Sequence, residues 1–228
     1  MLTRGPLRIA GAGPSGLAAA IILARAGREV EVHEAKRDVG TRFIGDLQII
    51  EGASESESVP AFLDRLGIER NFYFRAADWA TFYDHKNSER VIRSKEPYGW
   101  FIHRGAEEGT LDRGLLAQAQ QAGATVLFNS RLAPDQADIV ATGPASPDGL
   151  AKEMTWHSSD DERVDVYFNH RLSPGGYSYL FILDGVATFG CAIVADFKRI
   201  DSYFDHSLAA AHRLLHFDVP PDVPTGDS

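Results

Sequence analysis

Apolar runs and polar–apolar alternation divide the chain into segments of different period. Leu7-Arg-Ile-Ala10 is short and mostly apolar, as a buried strand is, and Leu17, Ala20, Ile21 and Ala24 then recur at helical spacing. Glu29-Val-Glu-Val-His-Glu34 alternates polar with apolar and ends on an acid. This predicts strand, glycine turn, helix and second strand. Val59 to Leu66 reads as a short helix, with Pro60 in its first turn and Gly67 as its stop. From Asn71 to Ile102 the period becomes that of strands, at Phe72-Tyr-Phe74, Ala80 to Tyr83 and Val91-Ile92, with a turn at His85 to Ser88. Leu111, Leu115, Ala119 and Ala122 mark a second amphipathic helix closed by Gly123. Short apolar strands follow at Thr125 to Phe128 and Asp138 to Ala141. Strand character returns at Arg163 to Phe168, Tyr177 to Leu183 and Val186 to Val194, with a hairpin signal at Asp184-Gly185. Ile200 to Leu215 predicts a last helix. Asp218 to Ser228, which holds three of the eleven prolines, reads as a linker or a disordered end.

The first of these segments carries chemistry. Gly11 allows a sharp turn off the strand, Gly13 lets the backbone approach a pyrophosphate, and Gly16 permits close packing of helix on strand. A phosphate would sit at the helix N-terminus, where free N–H groups and the dipole favour an anion. Glu34, at the end of the second strand, is placed to accept a ribose 2′-OH and to repel a 2′-phosphate, which favours FAD or NAD over NADP. The fold class expected is α/β. A Rossmann-like FAD-binding domain, a parallel sheet with helices, is interleaved with a smaller antiparallel-sheet substrate domain. The boundaries expected are 1–70 and 104–150 for the first, 71–103 and 151–199 for the second, a helix over 200–217 and a tail over 218–228.

Composition narrows the field. The 32 acids exceed the 23 basic residues and leave a net charge of −9, which argues against a nucleic-acid partner needing clustered Lys and Arg. No apolar run approaches the length that spans a bilayer, and the N-terminus lacks the regions of a signal peptide, so a cytoplasmic location is expected. Cys191 is the only cysteine, which excludes an internal disulfide or a redox dithiol. Electron chemistry must then come from a bound organic cofactor. His206, His212 and His216 lie on or near the last helix, without a carboxylate third ligand or an HExxH pattern, and no metal is expected. Asp160-Asp161-Glu162 and Ser54 to Ser58 read as solvated, and no Gly-x-Ser-x-Gly elbow supports hydrolysis.

Several motifs coincide in one order. They are the Gly11–Gly16 fingerprint with Glu34, the loop Gly40-Thr-Arg42, and Ile102-His-Arg104-Gly105 leading to Leu111-Asp112-Arg-Gly-Leu-Leu116. Ala137-Asp-Ile-Val-Ala-Thr142-Gly143 and Pro174-Gly-Gly-Tyr177-Ser-Tyr179-Leu-Phe181 follow. Over most of residues 7–215 the chain resembles the flavin-dependent geranylgeranyl reductase family, within the larger group of FAD enzymes that includes p-hydroxybenzoate hydroxylase. The resemblance implies an FAD-dependent oxidoreductase acting on an apolar, isoprenoid-type small molecule, with NAD(P)H or a reductase as electron donor and peripheral membrane contact without a span. It implies that FAD is held by Gly11, Gly13, Pro14, Ser15, Gly16, Glu34 and Ala35, and further by Arg42, Arg104, Thr142 and Gly143. A cation at Arg104 would neutralise pyrophosphate and reduced flavin. Tyr177, Tyr179 and Phe181 would line the substrate cavity, with Tyr179 where Trp is common and Ile182 where Pro is common. No residue is assigned a catalytic role. An aromatic monooxygenase and a nucleotide-binding protein without catalysis are the alternatives. Family members continue into a Gly-Asp motif and a helix facing the flavin ring. Gly226-Asp227, after Pro220 to Pro224, does not supply these, so the 228 residues are expected to hold the ADP half of FAD better than its flavin half.

Overall fold

The computed structural model describes residues 5–52, 57–143 and 146–227. Residues 54–56 of the polar Ser54 to Ser58 run, and Pro144, lie outside them. In chain order the elements are β1 (Leu7–Ala10), α1 (Pro14–Arg25), β2 (Val30–His33), β3 (Leu47–Glu51), α2 (Val59–Arg65), β4 (Arg75–Ala77) and β5 (Trp79–Tyr83). Next come β6 (Glu89–Arg93), β7 (Gly99–His103), α3 (Leu111–Gln121), β8 (Thr125–Leu127), β9 (Ile139–Val140) and β10 (Leu150–His157). The chain ends with β11 (Arg163–Tyr167), β12 (Tyr177–Leu183), β13 (Val186–Ile193), α4 (Ile200–Leu215) and β14 (Thr225–Asp227). Among the described residues no helix is long and apolar enough to cross a membrane.

The fold is mixed α/β and divides into two compact units. The first comprises 1–41, 50–75 and 102–145 and is built on a parallel sheet of order β8-β2-β1-β9. β1 pairs in register with β2 from Leu7 with Val30 to Ala10 with His33, and on its other side with β9. α1 and α3 pack together, and the apolar spacing read from the sequence is the buried stripe: Leu17, Ala20 and Ile21 of α1 and Leu115 and Ala119 of α3. They share the interior with Ile9, Val30 and Val32 of the strands, the near-continuous apolar run of a buried parallel sheet.

The second unit, 42–49, 76–101 and 146–228, holds a seven-stranded sheet of order β14-β10-β13-β12-β11-β5-β6. Its pairings are antiparallel except β11 with β5. One face buries Leu180, Ile182, Phe189, Trp156 and Met154 under α4, which contributes Phe204 and Ala211. Asp184 and Gly185, both with positive φ, make the tight β12–β13 turn that their sequence signals. The remaining sheet has the order β3-β7-β4.

The structure corrects several element expectations. Phe72 to Phe74 is not a strand: Phe72 packs where Gly114 has no side chain, and Tyr73 N–H donates to Gly109 O, so the backbone bonds serve a loop and β4 begins at Arg75. β3 and β10 were not anticipated; β10 hides because Lys152 stands on the core-facing side of the strand, between Leu150 and Met154, and breaks its apolar alternation. The tail is no free linker at its end, since Thr225–Asp227 pairs with β10 and supplies the ladder partners that an edge strand lacks.

Candidate functional site

The turn between β1 and α1 is shaped by close approach. Gly11 has φ +101°, and a Cβ there would lie 2.4 Å from Ala141 O. A Cβ on Gly16 would meet Gly11 O at 2.0 Å, so the helix can lie on the turn only without one. Gly13 differs: its backbone is extended and its missing Cβ faces open space. Gly13 is the N-cap of α1 and gives it no side-chain cap, Pro14 is in the first turn and no acid stands among the first residues. Its N-terminal amides are therefore open to an anion from outside. Ser15 is exposed at this same first turn.

Beside the turn, at the carboxyl ends of β1 and β2, is a cavity of about 220 Å³. β1 pairs with β2 on one side and β9 on the other, so the cavity lies where strand order reverses, the usual ligand position of an open parallel sheet. Glu34 stands on it with both oxygens oriented by backbone: Oε2 accepts Ala12 N–H at 2.9 Å and Oε1 accepts Lys36 N–H at 2.8 Å. Each oxygen keeps a lone pair for a ribose hydroxyl. Gly11, Ala35 and Thr142 also line the space, and Gly143 follows Thr142 in an exposed turn with nothing near its missing Cβ.

Five lining residues were not expected from the sequence: Ala10, His33, Lys36, Arg131 and Leu132. His33 is buried under the strand ends, with Nδ1 2.9 Å from Ser130 Oγ, while Nε2 has no hydrogen-bond partner among the described residues. Arg131 and Leu132 follow β8, the neighbour of β2, and the signal that could have found them is positional: loops after parallel strand ends meet the ligand whatever their composition. Lys36 and Arg131 put two cations on the rim of a site suited to phosphate.

Other expected residues fall elsewhere. Arg104, at the end of β7, forms a two-pronged ion pair with Asp112 at 2.8 and 2.9 Å, and Asp112 is 2% exposed. Arg42 is exposed and belongs to the second unit. Of the three strand aromatics, Tyr179 and Phe181 are buried with rings stacked 4.7 Å apart, and Tyr177 is 39% exposed. Tyr179 Oη donates to the buried Glu153 carboxylate at 2.5 Å, across Gly190, whose Cβ would strike the ring. Burial first, then the neighbouring Glu153 charge, hold this phenol well above its ordinary range.

Residues 9–44 match the family of NAD(P)-binding Rossmann-like domains. No curated protein matches the chain by sequence. Solved structures do match by fold. A geranylgeranyl bacteriochlorophyll reductase-like protein from Thermoplasma acidophilum is 17% identical, with TM-score 0.69 over 97% of this chain and 65% of that one. The flavin-dependent halogenase CmlS is 17% identical, with TM-score 0.63 over 100% of this chain and 50% of that one. A peptidyl tryptophan dihydroxylase essential for tryptophylquinone cofactor biogenesis is 19% identical, with TM-score 0.64 over 98% and 55%. At this identity the likeness is one of fold, and the chain spans between half and two thirds of the length of these proteins.

Proposed function

We propose that the first unit binds the adenosine diphosphate portion of FAD and that the protein is an FAD-dependent oxidoreductase. The observation that carries this reading is the cavity at the strand-order reversal, with the Glu34 carboxylate on it beside the uncapped start of α1. The fit is chemical: open amides suit a diphosphate, open space at Gly13 admits it, and the free lone pairs of Glu34 suit a ribose diol. FAD, when bound, would supply hydride or electron transfer through its ring system. The protein's part is to fix the adenosine end, with Gly11 and Gly16 holding the turn and Thr142 bounding the cavity. A carboxylate at Glu34 also disfavours a 2′-phosphate by charge, which argues against NADP in this cavity.

An apolar small-molecule substrate of the isoprenoid type is supported by an aromatic row on the second unit. Phe82 stacks on Phe168 with centroids 6.0 Å apart, Tyr177 lies 6.0 Å from Phe168, and Phe168 is 50% exposed. Such a patch favours apolar contact. NAD(P)H or a protein reductase would be the electron donor.

Titration with ADP, FAD, FMN and 2′,5′-ADP tests the nucleotide reading. ADP and FAD are expected to bind, and FMN and 2′,5′-ADP to bind weakly. Gly13→Val should remove ADP binding with unchanged circular dichroism, because its side chain enters space that only the ligand would use. Retained ADP binding in that variant would overturn the assignment.

A further inference from the structure

The seven-stranded sheet of the second unit ends on β6, which is hydrogen-bonded to β5 on one side only. Its five residues, Glu89-Arg-Val-Ile-Arg93, are all exposed, Val91 at 50% and Ile92 at 49%. An exposed edge usually carries something that stops a further strand from adding to it, such as a proline, a bulge or a repelling charge. β6 has no proline, its register with β5 runs unbroken from Tyr83 with Glu89 to Trp79 with Arg93, and its charges are of both signs.

The ladder fixes which backbone groups face the free edge. Asp84 N–H donates to Ser88 O at 3.2 Å and Ser94 N–H to Asp78 O at 2.7 Å, one bond beyond each end of β6. Bonded and non-bonded residues alternate in an antiparallel pair. The N–H and C=O groups of Arg90 and Ile92 therefore turn to β5, and those of Glu89, Val91 and Arg93 turn outward. The side chains of these last three share one face, as every second residue of a strand does. On it Arg93 lies across from Trp79, with its guanidinium 5.8 Å from the ring centroid, and Glu89 lies across from Tyr83.

This strand is its own complement. An antiparallel copy in register about Val91 sets Glu89 opposite Arg93 of the second copy, Arg93 opposite Glu89, and Val91 opposite Val91. Every outward N–H and C=O then finds a partner, and unlike charges stand directly across at both ends. Only this register pairs all five residues of both strands; registers centred on Glu89 or on Arg93 would set like charge against like charge. On the opposite face Ile92 meets the apolar stem of Arg90.

We propose that β6 is the seam of a homodimer, in which two copies of this chain join edge to edge through antiparallel β6 pairing centred on Val91. The two-fold pairing closes on itself, because each copy uses the same edge. Five residues a side fall well below the roughly 20–30 of a standard interface, so the dimer is weak and forms at high protein concentration. It does not depend on the nucleotide cavity, which belongs to the first unit.

Sedimentation velocity of the 228-residue chain, over a dilution series into the millimolar range, should show a monomer–dimer equilibrium and nothing larger. Val91→Pro should abolish the dimer with unchanged circular dichroism, since the amide it removes points outward and makes no bond to β5. Glu89→Arg and Arg93→Glu, at exposed positions, should each weaken self-association about tenfold. An equimolar mixture of these two variants should associate again, because each strand then faces its opposite charges. Hydrogen exchange followed by NMR should show the Glu89, Val91 and Arg93 amides slowing as concentration rises, while those of Arg90 and Ile92 stay slow throughout. A chain that is monomeric across the whole series, a dimer that survives Val91→Pro, or a mixture no more associated than its two components would each overturn the proposal. The first of these outcomes would leave the edge to a strand from another protein.

Discussion

Helices α1 and α3 of the first unit begin in opposite ways. α3 satisfies its own start: Thr110 Oγ1 caps Arg113 N–H at 3.3 Å, and Asp112 in the first turn accepts Gly105 N–H at 3.1 Å and both prongs of Arg104. α1 has neither cap nor acid, and its N-cap is a glycine without a side chain. Both helices expose the same four N–H groups and the same positive pole, so the difference lies in what the sequence withholds. A helix start filled by its own residues is a structural corner, and one left bare beside a cavity is prepared for an external anion. Arg104, by this contrast, serves first as the partner of Asp112.

The largest effect should come from emptying the filled corner. Asp112→Ala leaves the Arg104 guanidinium, 15% exposed, without its carboxylate and Gly105 N–H without an acceptor. Loss of one member of a buried pair costs about 3–5 kcal/mol, to be read as a lowered urea midpoint with or without ADP. An unchanged midpoint would erase the distinction between the two starts. Next comes a pair of matched changes within the open one. Gly16→Ala drives a methyl into Gly11 O and should cost about 1–3 kcal/mol of stability. Gly13→Ala meets nothing and should stay within about 0.5 kcal/mol, while weakening ADP. Equal destabilisation by both would mean that the open start is structural too.

How far the sequence foretells this arrangement depends on whether the cause is local. Gly11, Gly16 and the Leu17–Ile21 stripe follow from turn geometry and helical period, and α4 runs from Ile200 to Leu215 as its spacing predicts. Thr110 as cap of α3 was equally readable as a polar residue before a periodic run. The rest is tertiary. Arg131 and Leu132 line the cavity because β8 lies beside β2, a pairing that no local pattern encodes. Lys152 sits on the core-facing side of β10 because Asp201 and the Phe204 ring of α4 receive its ammonium, so the cation looked like a break in a strand that exists. The ion pair of Arg104 with Asp112, eight residues on, is likewise set by how the chain turns between them and not by a local pattern.

Glu34 sharpens the comparison from the ligand side. Its oxygens are fixed by two backbone amides, so a ribose meets an acceptor already in place. Glu34→Ala should weaken ADP by about 1–3 kcal/mol, the cost of charged hydrogen bonds left unmade. Glu34→Gln, which keeps one acceptor oxygen, should recover part of that loss and relax the penalty against 2′,5′-ADP. Identical titrations for the wild type and both variants would reduce Glu34 to a brace for the Ala12 and Lys36 amides.

The smallest effect concerns a cation in the wrong place. Arg113 lies in the first turn of α3, where the dipole opposes positive charge, and Asp38 answers it at 2.7 Å while Ala106 O accepts from the same guanidinium. The hydrogen bond from Arg113 holds the Asp38 carboxyl below its ordinary range. An acid whose folded-state pKa is depressed binds fewer protons in the native than in the unfolded chain near that pH. Its contribution is therefore present above the unfolded value of about 3.9 and disappears as pH falls through the lowered one. The two side chains are about one third exposed, so screening limits the pair to under about 1 kcal/mol. Asp38→Asn should therefore lower the urea midpoint slightly at neutral pH, and the gap to wild type should close as pH falls below about 4. A gap that stays constant across that range would show that Asp38 acts through its shape alone, and that α3 tolerates Arg113 without a compensating charge.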